Sequence, residues 1–133
     1  MILSVYKKVE KAALEKFSDI ILTARIIYSP AGRARKLRID IFDGSYIDVW
    51  YSAAREYSYH WERRHINHRV FRHDNAPHKK WQFVKTFPRH FHAGSETKVK
   101  ESHLSRNPVK AIEQFGSDEK VREQGVCFGN LRS

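Results

Sequence analysis

The chain has 133 residues, 41% of them hydrophobic, with 25 Lys+Arg against 15 Asp+Glu for a formal charge of +10. That length suits one domain with a real core rather than two, and the pI near 9.9 exceeds what solubility requires, which points to a polyanionic partner, either nucleic acid or an acidic protein. The single cysteine, Cys127, cannot form an intramolecular disulfide, and no window approaches the roughly 20 apolar residues of a membrane span, so a soluble, cytoplasmic protein is expected.

From Ile2 to Phe17, apolar residues recur at Ile2, Tyr6, Val9, Ala13 and Phe17 with charged residues between them, the spacing of an amphipathic helix. Ile20 to Tyr28 is rich in β-branched residues and closes at Ser29-Pro30-Ala31-Gly32, which predicts a strand. Leu37, Ile39 and Ile41 alternate with polar residues, Asp43-Gly44 supplies a turn, and Tyr46 to Tyr51 returns as the second arm of a hairpin. In the next run Tyr57, Tyr59 and Trp61 share one face and Ser58, His60 and Glu62 the other. Ile66 to Asp74 predicts a further strand, so the middle of the chain reads as an antiparallel meander.

Beyond Pro77 the pattern breaks into short pieces and predicts a loop-rich crossing through Arg89 to Gly94. Asn107-Pro108 starts a short helix, because Asn caps free amides and Pro at the first helical position forfeits no hydrogen bond; Ala111, Ile112 and Phe115 give it an apolar face and Gly116 ends it. Another helical turn is expected within 117–124. The whole reads as one α+β domain over residues 1–133. A helix covers 1–17, sheet and loops 18–103, a second helix 107–116 and a tail 125–133. The sheet is expected to have about five antiparallel strands, with both helices on one face and a polar face left open.

All eight histidines lie between His60 and His103, in a stretch that also carries many Arg and Lys. Imidazole has a pKa near neutrality and is a common metal ligand, so chemistry is expected there. On a strand, His60 points away from the aromatic face of Tyr57, Tyr59 and Trp61, and Arg72 and Asp74 would lie beside it if register allows. Asp74-Asn75-Ala76-Pro77-His78 is turn chemistry that delivers an imidazole next to Lys79 and Lys80. His90-Phe91-His92 puts two imidazoles on one side of an extended segment with Phe91 turned to the core.

Two chemistries fit these imidazoles. Asp74, His78, His90 and His92 form an N/O set suited to zinc or another transition ion. Alternatively, one imidazole takes the 2'-hydroxyl proton of RNA and another protonates the leaving oxygen, while cations stabilise the charged transition state. The excess of Arg and Lys argues for the second use, because a cation-crowded pocket disfavours a divalent ion unless carboxylates offset it. His65, His68 and His73 are expected on exposed surface.

The segments Tyr57-Ser58-Tyr59-His60-Trp61, Arg72-His73-Asp74-Asn75-Ala76-Pro77-His78, Thr86-Phe87-Pro88-Arg89-His90-Phe91-His92 and Glu101-Ser102-His103 together resemble the TumE-type toxin family of prokaryotic toxin-antitoxin modules, over about residues 37–115. The resemblance implies a small cytoplasmic toxin neutralised by a helix-turn-helix antitoxin encoded beside it. It implies RNA cleavage or another attack on translation as the activity, and it assigns no residue roles.

The expectation is therefore a toxin acting on RNA by metal-independent acid-base cleavage, with no cofactor and no membrane partner. His60, Asp74, His78, His90 and His92 would move or orient protons, and Arg72, Lys79 and Arg89 would contact phosphate. The alternatives are a metal-dependent phosphate or nucleotide enzyme using the same imidazoles, and a non-catalytic basic module that binds nucleic acid or an antitoxin.

Overall fold

A computed structural model describes residues 2–117. Its order is α1 (Ile2–Phe17), β1 (Ile21–Tyr28), β2 (Ala34–Ile41), β3 (Tyr46–Tyr51), β4 (Tyr57–Arg63), α2 (Arg64–Asn67), β5 (Arg69–Asp74), a 3-10 turn (Lys79–Trp81), β6 (His90–Gly94), β7 (Val99–Glu101) and α3 (Pro108–Gly116). Every strand pairs antiparallel with its sequence neighbour, so the sheet runs β1 to β7 in chain order. The α+β class and the two helices on one face match the expectation. The sheet has seven strands rather than five.

The two added strands correct the expected loop-rich crossing. Five-residue β6 and three-residue β7 are too short for periodicity to declare them. They form because β5 offers β6 a partner edge, with His73 opposite Phe91, and β6 then offers the same to β7. The strand expected from Ile66 also starts late: residues 64–67 make one helical turn, and His68, at φ 63°, closes it before Arg69.

Binary patterning decides which face is covered. Tyr6, Val9, Ala12, Ala13 and Phe17 line one stripe of α1, and Ala111, Ile112 and Phe115 line α3. They pack with Leu37, Ile39, Ile41, Ile47, Val49, Tyr59 and Trp61 of the central strands. Tyr6 is fully buried, donates its hydroxyl hydrogen to the Arg35 carbonyl at 2.9 Å and accepts from the Tyr51 amide at 3.1 Å, which fixes α1 across the ends of β2 and β3. Trp61 donates its indole N–H to Ser45 Oγ at 2.9 Å, tying β4 to the β2–β3 turn. The helices approach closely at Gly116, where any Cβ would overlap the ring of Phe17.

Asn107 caps α3, its side chain accepting from the Lys110 amide at 3.0 Å, and Pro108 occupies the first turn. Ser117 follows at the C-terminal end. The further turn expected up to residue 124, Cys127 and the tail at 125–133 lie outside the described residues.

His73 departs from its expected exposed position. It sits on the helix-covered face, stacked on Phe91 at 4.2 Å between centroids and edge-on to Phe115, with Nδ1 2.7 Å from Ser102 Oγ. Burial, reinforced by the charge of Arg89, lowers its pKa to about 4. His65 and His68 are exposed, as expected.

Candidate functional site

Antiparallel register builds the site on the open face of β4, β5 and β6. Ser58, Asp74 and His90 form one row across the three strands, and His60, Arg72 and His92 form the next. Side chains alternate along each strand, so all six share the face that carries no helix, while Tyr59, His73 and Phe91 share the other.

Asp74, His90 and His92 converge. They are 7%, 0% and 3% exposed, with Asp74 Oδ1 3.1 Å from His90 Nε2 and Oδ2 3.6 Å from His92 Nε2. The opposite nitrogens are held by the backbone: His90 Nδ1 lies 2.8 Å from the Pro88 carbonyl oxygen and His92 Nδ1 2.9 Å from that of Glu96. A carbonyl oxygen only accepts, so both Nδ1 atoms carry hydrogen. In a neutral ring, Nε2 is then a bare lone pair aimed at a carboxylate. The buried Nε2 of His90 makes no hydrogen bond. Lone pairs facing a carboxylate repel, so the cluster requires either protons on the Nε2 atoms or a cation among them.

Arg72 and Glu96 complete the floor. Arg72 donates from Nε to Asp74 Oδ2 at 2.9 Å and holds Glu96 Oε1 at 2.8 Å through Nη2, while the Ala76 amide donates to Asp74 Oδ1 at 2.9 Å. Burial would raise the pKa of Asp74, but His92 when protonated, Arg72, the Ala76 amide and His90 when protonated together outweigh it and hold the carboxyl below the usual range.

The Asp-Asn-Ala-Pro-His segment shapes the mouth. Asp74 closes the turn onto Ala76, and Asn75 accepts from the Tyr57 amide at 3.0 Å and donates to the Arg55 carbonyl at 3.0 Å, pinning the loop to the start of β4. The chain then rises through His78 into the 3-10 turn, which places Trp81 5.7 Å from the His92 ring and 6.1 Å from the His90 ring. The result is a cleft of about 480 Å³ with Asp74, His90 and His92 in its lining, His78 and Lys80 toward solvent, and Trp50 and Trp81 among its walls. A second groove, of about 640 Å³, continues across the same face past Arg38, Tyr46 and Asp48 and shares Trp50 and Ser58 with the first.

The expected site residues divide accordingly. Asp74, His78, His90, His92 and Arg72 line the cleft. His60 lines the adjoining groove instead, with Nε2 2.9 Å from Glu62 Oε1. Hydrogen bonds from Arg64, opposed by burial and aided by His60, draw Glu62 down to about 2. Lys79 is exposed outside the cleft lining, and its neighbour Lys80 takes the place expected of it. Arg89 faces the helix side, bonded to the Tyr57 hydroxyl at 3.1 Å and to the Leu104 carbonyl, because residues 89 and 91 share the face opposite His90. Sequence reasoning missed Trp50 and Glu96, whereas Trp81, with Phe83, Lys85 and Phe87, stands in an alternation of aromatics and cations that by itself suggests base stacking. Glu96 lies in a short turn with no motif, and only the β6–β7 pairing brings it to Arg72.

A family model described as Toxin TumE matches residues 10–124, which takes in the whole sheet, the cleft and α3. The chain belongs to the TumE toxin family. No curated protein and no solved structure matches it. Membership in the TumE family makes a toxin of this chain and implies an antitoxin partner. No described helix of this TumE-family toxin is long and apolar enough to cross a membrane. The match extends past both ends of the resemblance read from residues 37–115, drawing the second half of α1 and all of β1 into the TumE pattern.

Proposed function

We propose that this TumE-family toxin cleaves RNA in the cleft above Asp74, His90 and His92, acting in the cytoplasm and neutralised by a helix-turn-helix antitoxin encoded beside it. The reading is carried by one observation: a buried carboxylate-imidazole cluster with Arg72 lies beneath a mouth furnished with His78, Lys80 and two tryptophans. Cations bind phosphate and indole rings stack unpaired bases, so the mouth suits single-stranded RNA.

The reaction joins the 2'-oxygen to the adjacent phosphorus and breaks the bond from phosphorus to the 5'-oxygen. A base accepts the 2'-hydroxyl proton, and an acid supplies one to the departing 5'-oxygen. His78, solvent-facing and in the cleft lining, is one proton-transfer group. His90 and His92 supply the other when an RNA oxygen displaces Asp74 from an Nε2 atom. Arg72 and Lys80 stabilise the charge that builds on the phosphorus oxygens. This is the metal-free form of the reading.

A metal-assisted form has its own support, since both inward Nε2 lone pairs are turned to Asp74 rather than to the cleft mouth. Purified toxin freed of its partner is expected to cut RNA, and His78→Ala and His90→Ala are each expected to abolish cutting while the fold persists by circular dichroism. Repeating the assay with EDTA and then with excess zinc separates the two forms. Cleavage that survives both replacements, or no cleavage under any metal condition, would sink the assignment and leave a binding module that is toxic without catalysis.

A further inference from the structure

The excess of Arg and Lys along the chain argues against a bound cation, but the local balance around His90 differs from the global one. Two carboxylates, Asp74 and Glu96, stand in direct contact with Arg72, and a second guanidinium, Arg64, which reaches Glu96 at 4.0 Å, is itself paired with a third carboxylate, Glu62. With neutral imidazoles the immediate cluster carries one net negative charge. The basic groups Lys80 and His78 stand at the mouth.

We propose that Asp74, His90 and His92 form a binding site for a divalent first-row transition-metal ion, with the Asp74 carboxylate and the two Nε2 atoms as ligands. The remaining coordination position opens to the cleft. Three observations converge on it. Donor atoms of these three residues all lie within 4.8 Å of one another, and this is the group of its kind among the described residues. The Nδ1–H groups donate to the Pro88 and Glu96 carbonyls, the backbone support that ligating imidazoles characteristically have, and this turns both Nε2 lone pairs inward. Finally, the fully buried Nε2 of His90 has no hydrogen-bond partner, so it is an orphaned donor atom aimed at the cluster.

The spacing fits such an ion. Tetrahedral bonds of about 2.0–2.1 Å place neighbouring ligand atoms about 3.3 Å apart. The two oxygen-nitrogen separations, 3.1 Å from Oδ1 to His90 and 3.6 Å from Oδ2 to His92, run to different oxygens of the one carboxylate and bracket that value. Two imidazoles with one carboxylate select zinc, iron(II), manganese(II) and their neighbours over magnesium and calcium, which take oxygen ligands. His78 lies outside the converging set and His60 on another groove, so neither is a ligand. The alternative occupant of the same space is a pair of protons, which would place two imidazolium groups and Arg72 around one carboxylate.

The site coincides with the one proposed for RNA cleavage, but metal capture does not depend on that activity. The test is isothermal titration of the purified full-length chain with zinc chloride, after chelation and dialysis, alongside cobalt(II) absorption as a report on coordination. One zinc per chain is expected, with a rise in melting temperature on addition and visible cobalt bands of a low-coordinate nitrogen-oxygen site. His92→Ala is expected to weaken zinc by roughly a hundredfold or more, a loss beyond the range seen when only a supporting residue is removed. His78→Ala and His60→Ala are expected to keep one tight site. Because His90 and His92 are buried, His92→Gln provides a second variant whose fold is verified by its melting curve.

Absence of stoichiometric zinc, cobalt and manganese binding by the wild type would overturn the proposal. So would tight binding that persists in folded His92→Ala and His92→Gln. Stoichiometric binding without RNA cleavage would keep the metal site and remove the RNA reading; cleavage by a chain that binds no metal would do the reverse.

Discussion

Replacing His73 with Asn removes a buried imidazole whose pKa is lowered to about 4 by burial and by Arg89. A histidine with a depressed pKa is neutral in the folded chain and more readily protonated in the unfolded one. Its stabilising effect is therefore present above the unfolded value near 6.5 and is lost as pH falls toward the folded value. Integrating that difference, the wild type should lose about 2–3 kcal/mol between about pH 7 and pH 4.5 through this group alone. Asp74 and Glu62 act in the same direction but in a lower window. Their folded pKa values are depressed, so the stability they confer is lost as pH falls below the ordinary carboxylate range, toward about 2 for Glu62. Urea unfolding of wild type and His73→Asn at several pH values isolates the histidine contribution, since the carboxylates are common to both chains. The variant is expected to be less stable than wild type at neutral pH and to close that gap as pH falls to 4.5. Parallel stability curves across that interval would refute the placement of His73 against Phe91 and Phe115.

Gly116→Ala drives a methyl group into the Phe17 ring and should cost about 1–3 kcal/mol in thermal or urea unfolding, with part of the loss recovered by adding Phe17→Leu. Asn107→Ala removes the α3 cap and should cost about 1 kcal/mol in the same assay. Lys80→Gln should lower the slope of log affinity against log salt by about one unit in a single-stranded RNA titration, because one phosphate contact disappears, while the melting temperature stays put.

Long periodic elements were legible from the sequence, and short ones were not. The α1 stripe and the Leu37-Ile39-Ile41 alternation each repeat often enough to name an element and its buried face. So does Tyr57-Tyr59-Trp61 in β4. His90-Phe91-His92 was read correctly as two imidazoles on one side with Phe91 inward, because period two holds even over three residues; that these residues belong to a sheet was hidden, since β6 exists by pairing with β5. His73 was misplaced for a related reason. Val70 and Phe71 are adjacent and both apolar, so β5 does not declare its inner face, and the decision comes from β4, where Tyr59 stands opposite His73. The same register placed Arg72 beside His60 as the sequence allowed, yet His60 turned to Glu62, which Arg64 also holds. Arg89 illustrates the converse limit: basic charge suggested phosphate, whereas strand parity sent it to the Tyr57 hydroxyl.

The cleft over Asp74, His90 and His92 is held to be the working part of the toxin, and its histidines can be set against those elsewhere on the surface. Induced expression in a bacterial host without the antitoxin, scored by growth and matched for protein level, makes the comparison directly. The His90→Ala, His92→Ala double variant should lose growth arrest, whereas the His65→Ala, His68→Ala, His103→Ala triple variant should keep it, since those imidazoles are exposed and lie outside the cleft lining. Full growth arrest by a folded His90, His92 double variant would contradict the account.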